Sequence, residues 1–342
     1  MSAPAGIALL PGTTLSDPTH RRVLAGLKAA LRSRGWAASA FCPAGTPLSA
    51  LRSLRPGIVH LHTSGRVTAQ AERRVRDCLG RGSKLVLTFQ DLGHPDMPRP
   101  SAALRRRVAG LARRASLVTA LTADLARRVR QEHPAVSRKL RVVGNGVDSG
   151  WFRPAGAARR PGDDILAVCR LAPYKGVDLL LWAFGTLAKT RPSARLNFCG
   201  RDFQAGHYRR LARRLGIAAK VRFRGEVSRS RLAAELSRAR VFVSASRSET
   251  YGMAVLEALA SGAPVLATRT GVAAELLRHG RDAWLVAPDD ASALEQGLAR
   301  LWSDASLRAR LSRRGPKTAC KALWDRRALE YGRLYRRVLA GR

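Results

Sequence analysis

The stretch SASRSETYGMAVLEALASGAPVLAT, residues 244–268, decides how the rest of the chain is read. It opens at Ser244 on the end of an apolar run that reads as a strand. A polar loop follows, a helix begins near Tyr251–Gly252, and a second apolar run, Pro264–Ala267, reads as the next strand. Strand, loop, helix and strand in this order make a parallel crossover unit, and a glycine stands where the helix starts. Gly252 lets a ligand approach the backbone, and the open N–H groups of a first helical turn suit a phosphate. Glu249 precedes the helix and Glu257 lies roughly two turns into it, so both can face one cleft. A carboxylate beside bound diphosphate would be repelled, so Glu249 suits a sugar or its hydroxyls. Glu257 is placed to accept hydrogen bonds from a ribose diol. Spacing alone equally describes an amphipathic helix with two solvated glutamates.

Working outward, the same alternation recurs. Gly6–Pro11 reads as a strand and His20–Arg34 as a helix, with Val23, Leu27 and Leu31 on one face and Gly35 as its stop. Ile58–His62, Lys84–Phe89, Leu117–Leu121 and Leu140–Val143 are further strands. The pattern breaks at Asp148–Asp164, around Pro154 and Pro161, and restarts with Ile165–Arg170, Arg195–Cys199, Lys220–Arg224, Arg240–Ser244 and Trp284–Val286. The expectation is an α/β chain of two doubly wound, Rossmann-like domains facing a cleft. Residues 1–150 form the first, 151–164 a linker, and 165–322 the second; 323–342 carry a last amphipathic helix, Asp325–Leu339. Ligands of such sheets bind beyond the carboxyl ends of the strands. Trp36, Trp151, Trp182, Trp284, Trp302 and Trp324 sit in apolar patterns and read as packing residues.

That rule draws attention to Arg170-Leu-Ala-Pro-Tyr-Lys175-Gly176, directly after the strand that opens the second half. Two cations on a strand-to-helix loop suit a diphosphate leaving group, Arg bidentately and Lys as a point charge. In so basic a chain a chance pair is common: 62 Lys+Arg against 24 Asp+Glu give a formal charge of +38 over 342 residues. Such an excess attracts polyanions, including anionic lipid headgroups and phosphorylated sugars. No apolar run approaches the length of a membrane span, and Met1–Pro11 has neither basic leader nor signal-peptide core. The scattered cysteines, Cys42, Cys78, Cys169, Cys199 and Cys320, show no metal spacing and read as reduced thiols of a cytoplasmic protein. No Gly-x-Gly-x-x-Gly follows a strand, which argues against a dinucleotide oxidoreductase.

Taken together, the two segments resemble the retaining GT-B glycosyltransferases (glycosyl transferases group 1, family 4-like). Glu249 and Glu257 match the Glu-x7-Glu motif, and Arg170, Lys175 and Gly176 match the Arg-x4-Lys-Gly loop. Asn145-Gly146-Val147-Asp148 resembles the family's turn before the linker. Val221-Arg-Phe-Arg-Gly225 resembles the strand bordering the donor's base. Ser261-Gly-Ala-Pro-Val265, Gly271 and Gly280 also fall where the family has them. The first half departs in two places. Gly12-Thr-Thr-Leu-Ser-Asp17 replaces a Gly-rich loop, and Thr88-Phe-Gln90-Asp91 stands where many members have Thr-x-His, with His94 four residues beyond Gln90.

The resemblance implies a hexosyl-type transferase of the EC 2.4 class, retaining and metal-independent, with no cofactor. Arg170, Lys175 and Glu249 would be catalytic. Glu257, Gly252, Met253, Tyr251 and Arg224 would bind the donor, a nucleotide diphosphate sugar. His94, Gln90, Asp91, His62 and Gly12 are the acceptor-side candidates, with His20 and His60 also able to reach an acceptor. The last helix would pack back on the first domain. No Asp-x-Asp is present to hold a divalent ion. The basic first half suggests a lipid-linked or glycan acceptor, as in lipopolysaccharide or exopolysaccharide synthesis. The helix Pro100–Arg114 would touch an anionic inner membrane surface. The alternatives are an inactive GT-B-like polyanion binder and a nucleotide-sugar epimerase or hydrolase. Nucleic acid is not an expected partner, since gripping its backbone needs neither glutamate.

Overall fold

The computed structural model describes residues 6–12, 18–40, 56–79, 82–93, 100–154, 162 and 164–341. His94, Cys42, the loop 13–17, the side chain of His20 and most of the linker lie outside the described residues. The chain divides into two compact units, Met1–Gly146 with Trp324–Arg342, and Val147–Leu323.

The first unit holds a six-stranded parallel sheet in the order β2-β1-β3-β4-β5-β6. Its strands are β1 (Ile7–Pro11), β2 (Ala38–Ala40), β3 (Ile58–Thr63), β4 (Lys84–Phe89), β5 (Leu117–Ala120) and β6 (Leu140–Val142). β1 and β3 are buried along their whole length, the mark of a strand covered on both faces. Helices α1 (Pro18–Arg32), α2 (Ala69–Cys78), α3 (Ala102–Arg114) and α4 (Ala123–Glu132) make the crossovers. The side chains of Thr68, Ser101 and Thr122 cap the last three, each accepting a first-turn N–H. The C-terminal helix, α12 (Trp324–Leu339), belongs to this unit. It shares a core with α1 and the sheet, where Trp324, Tyr331 and Tyr335 pack with Leu27, Ile58 and Val86. Glycines at 26 and 146 make room for the Trp324 ring: a Cβ at either would collide with the indole.

The second unit holds another six-stranded parallel sheet, β12-β11-β10-β7-β8-β9. Its strands are β7 (Asp164–Val168), β8 (Arg195–Cys199), β9 (Val221–Phe223), β10 (Val241–Ser244), β11 (Val265–Thr268) and β12 (Trp284–Val286). The helices are α5 (Val177–Thr190), α6 (His207–Arg214), α7 (Arg229–Arg238), α8 (Met253–Ala260), α9 (Gly271–Leu276), α10 (Ala291–Ser303) and α11 (Ala305–Ala319). Leu181 and Phe184 of α5 pack with Leu298 and Leu301 of α10 over Ile165, Leu196 and Phe198 of the sheet. Each fully buried side chain of this size contributes about 1.5–3 kcal/mol.

Both sheets are doubly wound, as the alternation of the sequence leads one to expect. In the second, the chain runs outward through β8 and β9 and then returns to the other side of β7 as β10. The crevice between the carboxyl ends of β7 and β10 is therefore the switch point, and the loops leaving those two strands border it. Trp151 and Trp182 depart from the packing expected of them, being 46% and 56% exposed. Trp182 lies on α5 off the stripe made by Leu180, Leu181 and Phe184, so the apolar run is wider than the buried face. Among the described residues no helix is long and apolar enough to cross a membrane.

Candidate functional site

Three loops meet at the switch point of the second unit. The first follows β7 and carries Arg170, a single turn of 3-10 helix at Pro173–Lys175, and Gly176. The second follows β10 and runs through Ser246, Arg247 and Glu249 to Gly252. The third links β11 to α9. Gly176 has φ +60°, and a Cβ there would fall on the Ala245 carbonyl, so only glycine lets the first two loops touch. The third loop closes on the second through the Val272 N–H, which donates to the Tyr251 carbonyl at 2.6 Å. Thr268 Oγ1 also donates to the Ser246 carbonyl at 2.6 Å.

The charged groups converge within this frame. The Lys175 ammonium donates to Glu249 Oε2, and Ser246 Oγ donates to the same oxygen at 3.1 Å. The pair is largely withdrawn from solvent, with side-chain exposures of 12% for Lys175 and 17% for Glu249. The buried Tyr174 ring underlies both cations, 5.0 Å from the Lys175 ammonium and 5.7 Å from the Arg170 guanidinium. Arg170 itself is exposed. Burial raises the Tyr174 hydroxyl pKa and pushes the Cys169 thiol beneath the loop up to about 12, so this cysteine is a neutral packing group. Burial also pushes the Asp178 carboxyl up, but hydrogen bonds and charge from Arg247 outweigh it and leave the group below its usual range.

Gly252 stands at φ +95° and hands the chain to α8, which begins at Met253 and so after the expected start. Glu257 is the fifth residue of α8, a little over one turn in and nearer the mouth of the helix than two turns would place it; it is buried. Tyr251 is buried at the junction of the second and third loops. Arg224 follows β9, but its guanidinium is engaged within the unit: Nε donates to the fully buried Asn197 at 3.1 Å, and Glu235 lies 4.0 Å away. The structure thus gathers Arg170, Lys175, Glu249, Tyr251, Gly252, Met253 and Glu257, and places Arg224 to one side, just after the edge strand β9, which β8 separates from β7.

In the first unit, the acceptor-side candidates form a second group at the carboxyl ends of β1, β3 and β4. Gln90 Nε2 donates to His62 Nδ1 at 2.9 Å, and the Asn145 amide donates to Gln90 Oε1 at 3.0 Å. The Gly12 N–H donates to the His62 carbonyl at 2.6 Å, while Asp91 caps its own turn by accepting from the Gly93 N–H at 2.8 Å. Gln90, His62 and Gly12 are therefore contiguous, and Asn145 joins them although its motif marked it only as a turn. His60 does not fit the acceptor-contact expectation. It is fully buried, bonded through Nδ1 to the Tyr335 hydroxyl and through Nε2 to Thr88 Oγ1, both at 2.6 Å. Thr119 and Tyr331 extend this chain of hydroxyls beneath α12. Burial, and then the neighbouring His62, drive the His60 pKa well below the usual value, keeping the ring neutral. Among the described residues no cluster of three or more His, Cys, Asp or Glu is arranged to hold a metal ion.

The family model described as Glycosyl transferases group 1 matches residues 152–318, and that of Glycosyltransferase Family 4 matches residues 44–151. The D-inositol 3-phosphate glycosyltransferase of Streptomyces avermitilis is 32% identical over 299 residues, covering 79% of this chain and 64% of that protein. Mannosylfructose-phosphate synthase of Agrobacterium fabrum is 30% identical over 199 residues, 53% of this chain and 44% of that protein. The chain spans about three-fifths of the length of the D-inositol 3-phosphate glycosyltransferases it matches, 64% and 58% in two Streptomyces species. Among solved structures, sucrose-phosphate synthase from Thermosynechococcus elongatus superposes with a TM-score of 0.78 at 20% identity, over 98% of this chain and 100% of that one. Anabaena HepE, solved with UDP and glucose, gives 0.76 at 17% identity, over 96% of this chain and 99% of that one. These likenesses bear out the GT-B fold.

Proposed function

Because the chain belongs to the glycosyl transferases group 1 family, we propose that it transfers a sugar from a nucleoside diphosphate donor held by the second unit. The observation that carries this reading is the meeting of Lys175 and Glu249. They come from loops 74 residues apart and form a shielded ion pair at the switch point of a doubly wound sheet. Beside them start the open amides of α8. A glutamate alone would repel a diphosphate; one neutralised by Lys175 can stand close to it and turn toward sugar hydroxyls.

In this reading the leaving diphosphate lies across the α8 N-terminus, with Arg170 and Lys175 on its oxygens. Charge grows on those oxygens as the anomeric bond breaks, and fixed cations and amides stabilise the transition state more than the ground state. Glu249 holds the Lys175 ammonium and orients the transferred sugar, and Glu257 accepts from the ribose diol. The donor is metal-independent, since these cations and amides supply the countercharge. Transfer retains the anomeric configuration, with the departing phosphate taking the acceptor proton on the same face.

The acceptor is anionic. Inositol 3-phosphate and mannosylfructose phosphate appear in the names of relatives, which supports a phosphorylated sugar or cyclitol. The exposed Arg105, Arg106, Arg113 and Arg114 of α3 support a lipid-linked envelope acceptor at an anionic membrane surface. Transfer assays with a panel of nucleotide sugars against phosphorylated cyclitols and lipid-linked glycans, analysed by NMR for the anomer formed, separate the two. Lys175→Ala should lower turnover by at least about 100-fold with the fold intact. Turnover near that of the unaltered protein would remove this assignment.

A further inference from the structure

Arg247 lies two residues before Glu249, in a chain where an arginine attracts no notice. Four of its guanidinium hydrogen bonds are directed at three segments. Nη1 donates to the Pro173 carbonyl at 2.8 Å and to Asp178 Oδ1 at 2.8 Å. Nη2 donates to Asp178 Oδ2 at 2.7 Å, and Nε donates to Asp289 Oδ1 at 2.7 Å. Its own backbone N–H donates to the Tyr174 carbonyl at 2.8 Å.

The targets bracket Lys175. Pro173 and Tyr174 precede it in the same 3-10 turn, and Asp178 lies in the first turn of α5 just beyond it. A planar guanidinium is suited to this task, because its rigid fork meets a carboxylate bidentately while another N–H reaches a carbonyl. Asp289 holds the far side from the loop after β12, with a left-handed backbone (φ +62°) unusual for a residue with a side chain. That conformation costs about 1 kcal/mol or more and is kept where its surroundings fix it. The second loop is therefore fastened to the first on both sides of the lysine, and Glu249 two residues on receives the lysine's ammonium.

We propose that Arg247 is a positioning residue. It clamps the Pro173–Lys175 turn to the Glu249 loop so that the Lys175 ammonium stands where the leaving diphosphate gathers charge. This rests on the donor site proposed above. Arg247 touches neither donor nor acceptor in this role and acts through Lys175. Losing the clamp lets the turn drift, and displacement of a catalytic group by about 1 Å costs on the order of 100-fold in rate.

The test is a cycle of Arg247→Ala and Lys175→Ala, singly and together, measured under single-turnover conditions with a nucleotide sugar and circular dichroism as the folding control. Arg247→Ala alone should lower the rate about 10- to 100-fold while donor KM changes less than about 3-fold. Arg247→Lys should recover little, since an ammonium lacks the planar fork. In the Lys175→Ala background, Arg247→Ala should cost less than about 2-fold, because the group it positions is gone. Asp178→Asn should repeat this pattern, and it carries the test if Arg247→Ala does not fold. An equal loss in both backgrounds, or a single variant as fast as the unaltered protein, would overturn the proposal. An unaltered protein that neither binds nor turns over any nucleotide sugar would overturn the donor site itself.

Discussion

Acidification should unlock the first unit through one imidazole. His60 is fully buried between Tyr335 and Thr88, with the His62 ring tilted against it at a centroid separation of 4.3 Å. Its folded pKa lies well below the ordinary 6.5, first because burial penalises the charged ring and then because of His62. The sign follows from proton binding: below pH 6.5 the unfolded chain takes up a proton that the folded one refuses. Stability is therefore whole above that pH and is lost as pH falls toward the depressed folded value. One such proton removes about 0.4 kcal/mol at pH 6.5 and about 1.4 kcal/mol at pH 5.5, a slope that nears 1.4 kcal/mol per pH unit. At an ordinary urea dependence of about 2 kcal/mol/M, the pH 5.5 loss moves the midpoint by about 0.7 M. Urea unfolding followed by tryptophan fluorescence is the assay, because Trp36 and Trp324 line the same core. His60→Gln keeps polar atoms at the site and removes the titration. Between pH 7.5 and 5.5 the unaltered protein should lose about 1.4 kcal/mol more than the variant. Parallel losses in the two proteins would refute the reasoning.

Other consequences are more local. Tyr335→Phe strips the hydroxyl from His60 Nδ1 inside the core and should destabilise the first unit by about 1–3 kcal/mol, read from the same urea curves. Gly176→Ala forces a left-handed backbone on alanine and drives its Cβ onto the Ala245 carbonyl. It should cost about 2–4 kcal/mol in the second unit and abolish most transfer, since both halves of the ion pair ride on the loops it separates. Binding to anionic lipid vesicles should weaken steeply as salt is raised, in keeping with exposed arginines on α3 and a Debye length near 10 Å at 0.1 M. Binding unchanged by salt would contradict an electrostatic membrane contact.

Much of the architecture is legible in the sequence because buried parallel strands are short apolar runs, and each run that reads as a strand folds as one. The exception, β2, is the three-residue edge strand Ala38–Ala40, whose small residues give no apolar signal. Gly252, Glu249 and the Arg170–Lys175 loop could be singled out because strand-to-helix loops are where such sheets bind ligands. Their mutual arrangement could not. The sequence assigns Lys175 and Glu249 to different parts of a donor, and only folding shows that they meet each other. Arg247 carried no local signal at all, for its partners Asp178 and Asp289 are 69 and 42 residues away. His60 reads as an acceptor contact in the sequence because alternation cannot distinguish a solvated position from one roofed by α12, which arrives from the far end of the chain. Trp182 shows the converse, an apolar helix whose buried stripe is narrower than its apolar content.

The most direct test of the central claim, a nucleoside diphosphate held by the loops after β7 and β10, is calorimetric titration with UDP, GDP and ADP. It should be done without added metal on the unaltered protein, Lys175→Ala and Glu257→Ala. One base should bind with micromolar affinity and weaken at least about 10-fold in each variant, a loss of about 1.4 kcal/mol or more. Binding that is absent for all three nucleotides in a folded protein, or identical in the variants, would contradict it.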